Sequence, residues 1–540
     1  MKTCDVVFIA HEEYNNLGVG YLCSLLRKEG YSTAILDCEK SRDHILRMLR
    51  LRNPVIVGFS IISYGYLSLF KELAEFLREQ GITSHFTAGG HYPSLNPEEL
   101  FGHIPALDSI VRFEGEYVML DLVRAVKSGA DWKYIDGLAY IDSGAFITNP
   151  FHALVKDIDE FPFPVRTRLR KFFYGMPVAT ILAGRGCMNS CTFCNTSVFY
   201  SLPGGPLKRI RKPANVVAEM KDLYRTRKCS IFMFTDDDFP VKQASYESWI
   251  EDFCSELKWN NLENKLLWKI CCRPDEVQPD SFLLMKKNGL FLVFLGIEDG
   301  CDETLKILRK NTTVSQITQS IRLLKRMKIG IDYGFMLFQP STTFDSLNKN
   351  LDFLREMCGD GYLPAAFLKM IPLYRTKIEK DLIAEGRLKR GLVPDYDFYE
   401  NEMNCYYDFV MKCFCEWQSH PYGMLNISKW LRNYYLLYAR LIADDTLLRE
   451  EESRFRKIVR SGNHFIIGKM KELASVFESG EYHDNPGLLD DFFEDITARH
   501  AYFRKKINEQ SDKLFYMTLT KAVRSYSIPP SPASSPYSSR

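Results

Sequence analysis

Three cysteines, Cys187, Cys191 and Cys194, stand in the string GRGCMNSCTFCN over residues 184–195. Their spacing is C-x3-C-x2-C, directly after the apolar, β-prone run of residues 178–182. This loop says more about function than any other feature, because its position after a β-prone run and its cysteine spacing agree on one kind of metal site. Three thiolates on so short a loop hold three corners of a cubane iron–sulfur cluster and leave the fourth iron without a protein ligand. In metal sites an open position marks reactivity, and a closed shell marks structure. Structural zinc takes four ligands, commonly from two Cys or His pairs. No second pair lies near this loop, the closest histidines being His152 and His420. Disulfides do not suit fifteen cysteines, an odd number, scattered through apolar segments such as those of Cys254, Cys271 and Cys272. The opening MKTCDVVFIAHEEY also lacks the apolar core and cleavage site of a secretory signal.

At 540 residues the chain is long enough for more than two domains. A net charge of +2 supplies no basic field for nucleic acid, which is not expected as a partner. No apolar run approaches the length of a membrane span. A multidomain cytoplasmic protein is the expectation, and an oxygen-sensitive cluster favours a reducing compartment.

Over residues 1–130, β-prone and helix-prone runs alternate. Residues 5–10, 33–37, 55–60, 85–88 and 109–112 read as strands, and residues 17–29, 66–80, 97–101 and 117–127 as helices. That order predicts an α/β domain with a doubly wound, mainly parallel sheet. Such sheets bind ligands beyond the carboxyl ends of their strands, near a topological switch point. Gly18, Gly20, Gly58, Gly89, Gly90 and Gly115 gather at those ends. There they either shape turns or admit a ligand close to the backbone.

Residues 131–176 read as a connector, with a hairpin turning at 142–144 and a proline-rich stretch that resists helix. From 177 to 390 the alternation resumes. Strands are expected at 178–182, 231–234, 267–271, 290–295, 330–338 and 366–370, and helices at 214–225, 246–257, 280–287, 315–328 and 344–356. Six such units predict a partial (β/α)6 barrel with its chemistry at the carboxyl ends of the strands. Charges fall at those ends. Asp236, Asp237 and Asp238 follow the second strand, where they bind a cation, cap the next helix or face water. Arg273 follows the third, where it holds a carboxylate bidentately or pairs with Asp275 or Glu276. Glu298 follows the fourth, as a ligand contact or a helix N-terminal carboxylate. Lys310 reads as a solvated lysine, and no residue stands out as the catalytic group.

Residues 391–525 carry long helical patterns dense in aromatics, among them Tyr396, Phe398, Tyr399, Tyr406, Tyr407, Phe409, Phe414, Trp417 and Tyr422. Such stripes pack cores, or here wall a substrate cavity. Cys405, Cys413 and Cys415 lie in that aromatic stretch and lack a known cluster spacing. The Ser- and Pro-rich residues 526–540 are expected to be disordered.

With Phe193 before its last cysteine, the C-x3-C-x2-C loop resembles the signature of radical S-adenosylmethionine enzymes. The strings NLGVGYLCSLLRKEGY, VGFSIIS, AGGHYPSLNPEEL and VRFEGE resemble, in that order, the flavodoxin-like cobalamin-binding domains fused to such enzymes. FTDDDFPV, LGIEDG, LRKNTT and YGFMLFQPSTTFDSL are similar to later elements of the same family. The resemblance implies a [4Fe-4S] cluster on Cys187, Cys191 and Cys194 whose open iron chelates S-adenosylmethionine, and cleavage of that molecule to a 5′-deoxyadenosyl radical. It implies Phe193 near the adenine, Asp236 and Asp237 by the amino group, Arg273 at the carboxylate, and Glu298 at the ribose or amino group. It implies cobalamin held by Leu17, Gly18 and Gly20, by Ser60, Ile61 and Ser63, by Gly89, Gly90 and His91, and by Glu114, Gly115 and Glu116. The implied activity is methyl transfer to an unactivated carbon through methylcobalamin. Alternatives are a radical cyclase or ring-rearranging enzyme using cobalamin without methyl transfer, or a radical enzyme whose first domain is a scaffold without cobalamin. Implied partners are a small-molecule or peptide substrate and an electron donor such as flavodoxin or ferredoxin. Two departures stand out. The D-x-H-x-x-G string that supplies a histidine to cobalt is absent, so His11, His44 and His91 are expected to be hydrogen-bonding or surface residues. Where relatives often read P-x-x-G-T, this chain has Pro372 to Thr376 with Arg375 at the small position.

Overall fold

The computed structural model describes residues 3–172, 175–241, 248–418, 423–442, 445–485 and 487–525. The chain divides into two compact units, Met1–Ser341 with Lys369–Tyr399, and Thr342–Leu368 with Glu400–Arg540.

The first unit is built on two sheets. Strand β1 (Val6–Ala10) is buried at every position, as suits a central parallel strand covered on both faces. Its neighbours are β2 (Thr33–Asp37) and β3 (Ile56–Ser60), with Val6 opposite Thr33 on one side and Ile56 on the other. The parallel ladder continues through β4 (His85–Gly89) and β5 (Ser109–Val111). The hairpin read from the connector, β6 (Leu138–Asp142) and β7 (Ala145–Thr148), extends this same sheet antiparallel, giving the order β2-β1-β3-β4-β5-β6-β7. Buried Leu138 and Ala139 pair with Val111 and Ile110, so apolar residues at the start of β6 cover what would otherwise be a bare edge.

Alternation along the strands divides the core. Val7, Ile9, Val57 and Phe59 pack on one face, and Val6, Phe8, Ala10 and Ile56 on the other. The covering helices are α1 (Leu17–Lys28), α2 (Arg42–Arg52), α3 (Leu67–Glu79), α4 (His91–Leu95), α5 (Pro97–His103) and α6 (Glu116–Ser128). Asn16 caps α1 by accepting from the Val19 amide, and Arg27 and Lys28 complement its C-terminus. Helix α2 was not legible in the sequence, since only Ile45, Leu46 and Leu49 of its eleven residues are buried.

The second sheet comprises β8 (Arg170–Lys171), β9 (Pro177–Ile181), β12 (Ile231–Phe234), β13 (Leu267–Cys272), β14 (Leu290–Glu298) and β15 (Gly330–Phe335). Between β9 and β12 lies a separate hairpin, β10 (Gly184–Gly186) with β11 (Lys208–Ile210). The order β15-β14-β13-β12-β9-β8 is parallel except for β8, an open half-barrel rather than a closed ring. The sixth parallel strand expected at 366–370 is a single bridge from Phe338 to Lys369. Pro364 and Pro372 bracket that segment and limit the ladder it can form.

The second unit is helical: Phe344–Cys358, Asn401–Gln418, Met424–Leu441, Thr446–Ser479 and Leu488–Ser525. The helix expected at 344–356 as a barrel element packs here against Thr446–Ser479. Aromatics supply this unit's core. Tyr406 and Trp417 are fully buried, and Trp417 packs against Phe414, Phe465 and Phe503. Buried Asn463 donates to the carbonyls of Cys358 and Leu363 and accepts from the Ala365 amide, which fixes the chain after the first of these helices. Among the described residues no helix is long and apolar enough to cross a membrane. The expectations for His420, Tyr422, residues 246–247 and the tail 526–540 lie outside the described residues.

Candidate functional site

The cysteine loop runs from the end of β10 to helix α7 (Thr196–Ser201). All fifteen cysteines are free thiols, and Cys187, Cys191 and Cys194 are half-buried. The Asn189 amide and side chain both lie 3.4 Å from the Cys187 Sγ. Burial pushes the Cys187 thiol up to about 11 and also raises Cys191, where Lys310 and Arg273 oppose the rise. Those cations favour a thiolate beside them, and a bound metal removes the thiol protons outright. Thr192, which the motif alone did not single out, anchors the loop. Its amide donates to the Leu308 carbonyl (3.0 Å), its hydroxyl to that of Ile307 (3.2 Å), and its own carbonyl accepts from the Ile378 amide (3.3 Å). Three soft donors on one anchored, accessible loop fit a cluster with an open iron. Phe193 is half-buried in the same loop.

The strand-end charges are mostly engaged. Asp236 is buried and accepts from the amides of Ala183 and Gly184, tying β12 to the β9–β10 turn. Burial raises its carboxyl to about 7 against those two bonds. Asp238 is buried in an ion pair with Lys208 at 2.9 Å. Asp237 accepts from the Gly186 amide (3.0 Å) and the Thr196 hydroxyl (3.4 Å), and also lines the main cavity. Arg273 pairs with Asp275 at 3.0 Å and donates to the Lys310 carbonyl. Lys310 is buried rather than solvated, with its ammonium 3.0 Å from Glu298. Glu298 adopts a left-handed backbone, φ 68°, which costs a non-glycine residue about 1 kcal/mol. Its carbonyl accepts from the Met336 amide at 2.7 Å, so the neighbouring strand helps to hold it.

A cavity of about 540 Å³ opens beyond the carboxyl ends of β1, β3, β4 and β5. Leu17, Gly18, Ser60, Gly89, Gly90, His91, Glu114, Gly115 and Glu116 line it from the first sheet. Thr180 and Asp237 line it from the second sheet and its strand ends, Gly184 and Arg185 from the β10–β11 hairpin, and Tyr200 from α7. Gly20, Ile61 and Ser63 lie outside the lining. A side chain at Gly20 would meet the Val165 carbonyl at 2.7 Å, so that glycine admits the connector rather than a ligand. Ile61 is buried in the core, and its carbonyl packs where a Cβ on Gly90 (φ 122°) would stand, 2.5 Å away. Ser63 precedes the short 3-10 turn Tyr64–Tyr66 and is half-buried. Asn16, missed as a site residue although its place before a helix signals a cap, lines the cavity and donates to the Ser60 hydroxyl at 3.1 Å.

Glu114 and Glu116 do more than edge this cavity. Arg185 on β10 reaches Glu114 at 3.0 Å and Glu116 at 2.6 Å, and Arg209 on β11 reaches Glu114 at 2.7 Å. Burial acts to raise the Glu114 carboxyl, but the two guanidinium groups hold it below its ordinary value. The ring of His91 stacks on Phe199 of α7, centroids 4.2 Å apart and planes 9° from parallel. Burial pushes the His91 imidazole pKa down, against the pull of Asp237. These contacts hold the first sheet against the cysteine loop.

Arg375 explains the departure from P-x-x-G-T. It keeps the left-handed backbone a glycine would adopt, φ 62°, and uses its side chain to donate from Nε to the Leu95 carbonyl at 2.5 Å. Next to it, Tyr374 packs against Tyr64 and Tyr92. Arg375→Gly therefore trades one lost hydrogen bond against relieved strain, each of about 1 kcal/mol. Its unfolding free energy should match that of the parent within about 1 kcal/mol, while Arg375→Ala, which loses the bond and keeps the strain, falls lower. Urea titration of both variants checks the order.

Comparison with known proteins matches residues 4–123 to the B12 binding domain and residues 181–354 to the radical SAM superfamily. An uncharacterized methyltransferase, PH0819 of Pyrococcus horikoshii, is 24% identical over 378 residues, covering 69% of this chain and 79% of that protein. The anaerobic magnesium-protoporphyrin IX monomethyl ester cyclase of Cereibacter sphaeroides is 26% identical over 418 residues, covering 73% of this chain and 66% of its own, just under two thirds. The solved structure of the cobalamin-dependent S-adenosylmethionine radical enzyme OxsB, with aqua-cobalamin and S-adenosylmethionine bound, aligns with TM-score 0.68 at 19% identity. That alignment covers 92% of this chain and 84% of that one.

Proposed function

From a chain that joins a B12-binding domain to a radical S-adenosylmethionine domain, and so is a cobalamin-dependent radical S-adenosylmethionine enzyme, we propose a methyltransferase acting on an unactivated carbon. One observation carries the reading. The carboxyl edge of the first sheet and the residues flanking the cysteine loop open onto a single cavity, so two cofactors can serve one substrate. The Pyrococcus relative, named a methyltransferase, supports methyl transfer, and the Cereibacter relative, named a cyclase, supports ring closure as the second reading.

When bound, the reduced [4Fe-4S] cluster supplies the electron that cleaves S-adenosylmethionine to an organic radical, and cobalamin supplies the methyl carrier. The chain's own residues set the conditions. Cys187, Cys191 and Cys194 would hold the cluster and leave one iron free. Asp237, fixed by the Gly186 amide and the Thr196 hydroxyl, lines the cavity, where it would accept hydrogen bonds from the ammonium of S-adenosylmethionine. The Glu298–Lys310 pair and Arg273 lie on the cluster side, where Lys310 and Arg273 influence Cys191. Leu17, Phe113, Phe199 and Tyr200 wall the cavity with apolar surface that excludes water, which a primary radical requires. The electron would come from a donor such as flavodoxin or ferredoxin.

The test is isotopic. With the substrate in hand and S-adenosylmethionine labelled in its methyl group, the product should carry the label. Turnover of that substrate with 5′-deoxyadenosine released and no label incorporated would favour cyclisation or rearrangement instead.

A further inference from the structure

We propose that His11, Asp37 and Cys38, joined by Glu39, form a metal site for one divalent ion of the zinc class, separate from the cluster. The sheet register builds it. β1 and β2 are adjacent and parallel with Ala10 opposite Asp37, so the residue after β1, His11, comes beside the residue after β2, Cys38. The Cys38 amide donates to the Ala10 carbonyl at 2.9 Å and locks the two strand ends together. A ring nitrogen of His11, a carboxylate oxygen of Asp37 and the Cys38 Sγ all lie within 4.8 Å of one another, close enough for one ion to reach all three.

Three further observations point to a cation. Cys38 is 1% exposed, and its thiol is directed into this group rather than to solvent. The His11 Nδ1 is buried without a hydrogen bond, although the Glu39 carboxylate stands 3.3 Å away, and Nε2 lies 3.7 Å from Glu13. Whichever nitrogen binds the ion, the other faces a carboxylate, the arrangement that orients metal-bound histidines. Among the described residues no lysine or arginine pairs with Asp37 or Glu39, whereas Glu13 is met by Arg170. The ring of Tyr66 packs against the imidazole at a tilt, 4.9 Å between centroids and 33° between planes, and restrains its rotation.

One thiolate, one imidazole and one or two carboxylates form a borderline donor set, suited to zinc rather than to calcium or magnesium. Binding releases the Cys38 proton to solvent and leaves the oxidation state of the metal unchanged. The ion would pin residues 11–16, the loop from which Tyr14, Asn15 and Asn16 reach the cavity, to the second strand.

The probe is zinc itself. Full-length protein carrying its cluster and cobalamin is given one equivalent of zinc chloride and desalted. Bound zinc is then measured by mass spectrometry, and its ligands by X-ray absorption at the zinc edge. The proposal expects one zinc per chain with a single sulfur at about 2.3 Å and the remaining ligands nitrogen or oxygen. His11→Gln and Cys38→Ser should lose this zinc, and a variant with Cys187, Cys191 and Cys194 all replaced by alanine should retain it. His11 is partly exposed, so its variant decides the matter if Cys38→Ser fails to fold by circular dichroism. Zinc retained equally by His11→Gln, a shell with two or more sulfurs, or no zinc retained by the parent would overturn the proposal.

Discussion

Cys191→Ala protein, reconstituted with iron and sulfide under anaerobic conditions, is expected to lose most of its cluster iron and all cleavage of S-adenosylmethionine. Removing one of three thiolates leaves two protein ligands for four irons, and a second open iron is exposed to solvent. The fold should survive. Cys191 is half-buried, and the loop is held by the Thr192 backbone and hydroxyl rather than by the thiol. The cost to stability is then about 1 kcal/mol or less. Iron analysis, 5′-deoxyadenosine release and far-ultraviolet circular dichroism on one preparation separate these effects. Unchanged iron content would refute the cluster assignment.

Arg185→Ala should be strongly damaging where the first sheet meets the β10–β11 hairpin. The guanidinium is buried against the rings of Tyr21 and Phe161, and it bridges Glu114 and Glu116 at 3.0 and 2.6 Å. Truncation leaves Glu116, 4% exposed, without that partner and Glu114 with Arg209 alone. Breaking a buried pair from one side costs about 3–5 kcal/mol. The exposed Lys71–Glu75 pair on α3 provides the contrast, since losing it should cost less than about 1 kcal/mol. Urea unfolding of both variants measures the difference, and retention of cobalamin should fall with Arg185→Ala because both glutamates line the cavity. The parent protein should also be acid-sensitive here. The folded carboxyl of Glu114 lies below its ordinary 4.5, so the native state binds fewer protons than the unfolded one. That contribution is present in full above about pH 4.5 and is lost as the pH falls through the lower, folded value. In Arg185→Ala this part of the acid dependence should shrink. A loss below about 1 kcal/mol would show that the bridge carries little.

Much of the fold follows from periodicity visible in the chain. The first sheet follows from short, mostly apolar runs such as VVFIA and IVGFS, alternating with helices of which α1, α3 and α6 are plainly amphipathic. Where the pattern is diluted, it failed. α2 has three buried positions among charged ones, and the 366–370 segment is apolar enough for a strand but is bracketed by prolines. Assignment of the helix at 344–358 to a unit depends on long-range packing, which no local pattern encodes. At the site, the cysteine loop can be read from spacing, and Gly18, Gly58, Gly89, Gly90 and Gly115 from their places at strand ends, whereas Gly20 packs against the connector. Pairing cannot be read in this way. Asp236, Asp238 and Arg273 carry charges suited to a ligand, yet most of their bonds go to the protein's own amides, carbonyls and ions. Lys310 looks like any surface lysine in the sequence and is buried only because Glu298 faces it. Arg375 breaks the expected glycine yet keeps its backbone, which only the dihedral reveals.

A corrin and an iron–sulfur cluster held by one chain, with the corrin in the cavity that Gly18 lines, is the expected arrangement. It is tested most directly by measuring cobalt and iron together in protein reconstituted anaerobically with both cofactors and then desalted. One cobalt per chain is expected alongside the full cluster iron, with the cobalt, but not the iron, lost when Gly18→Trp fills the cavity. Full iron with no retained cobalt, or cobalt retained undiminished in Gly18→Trp, would contradict it.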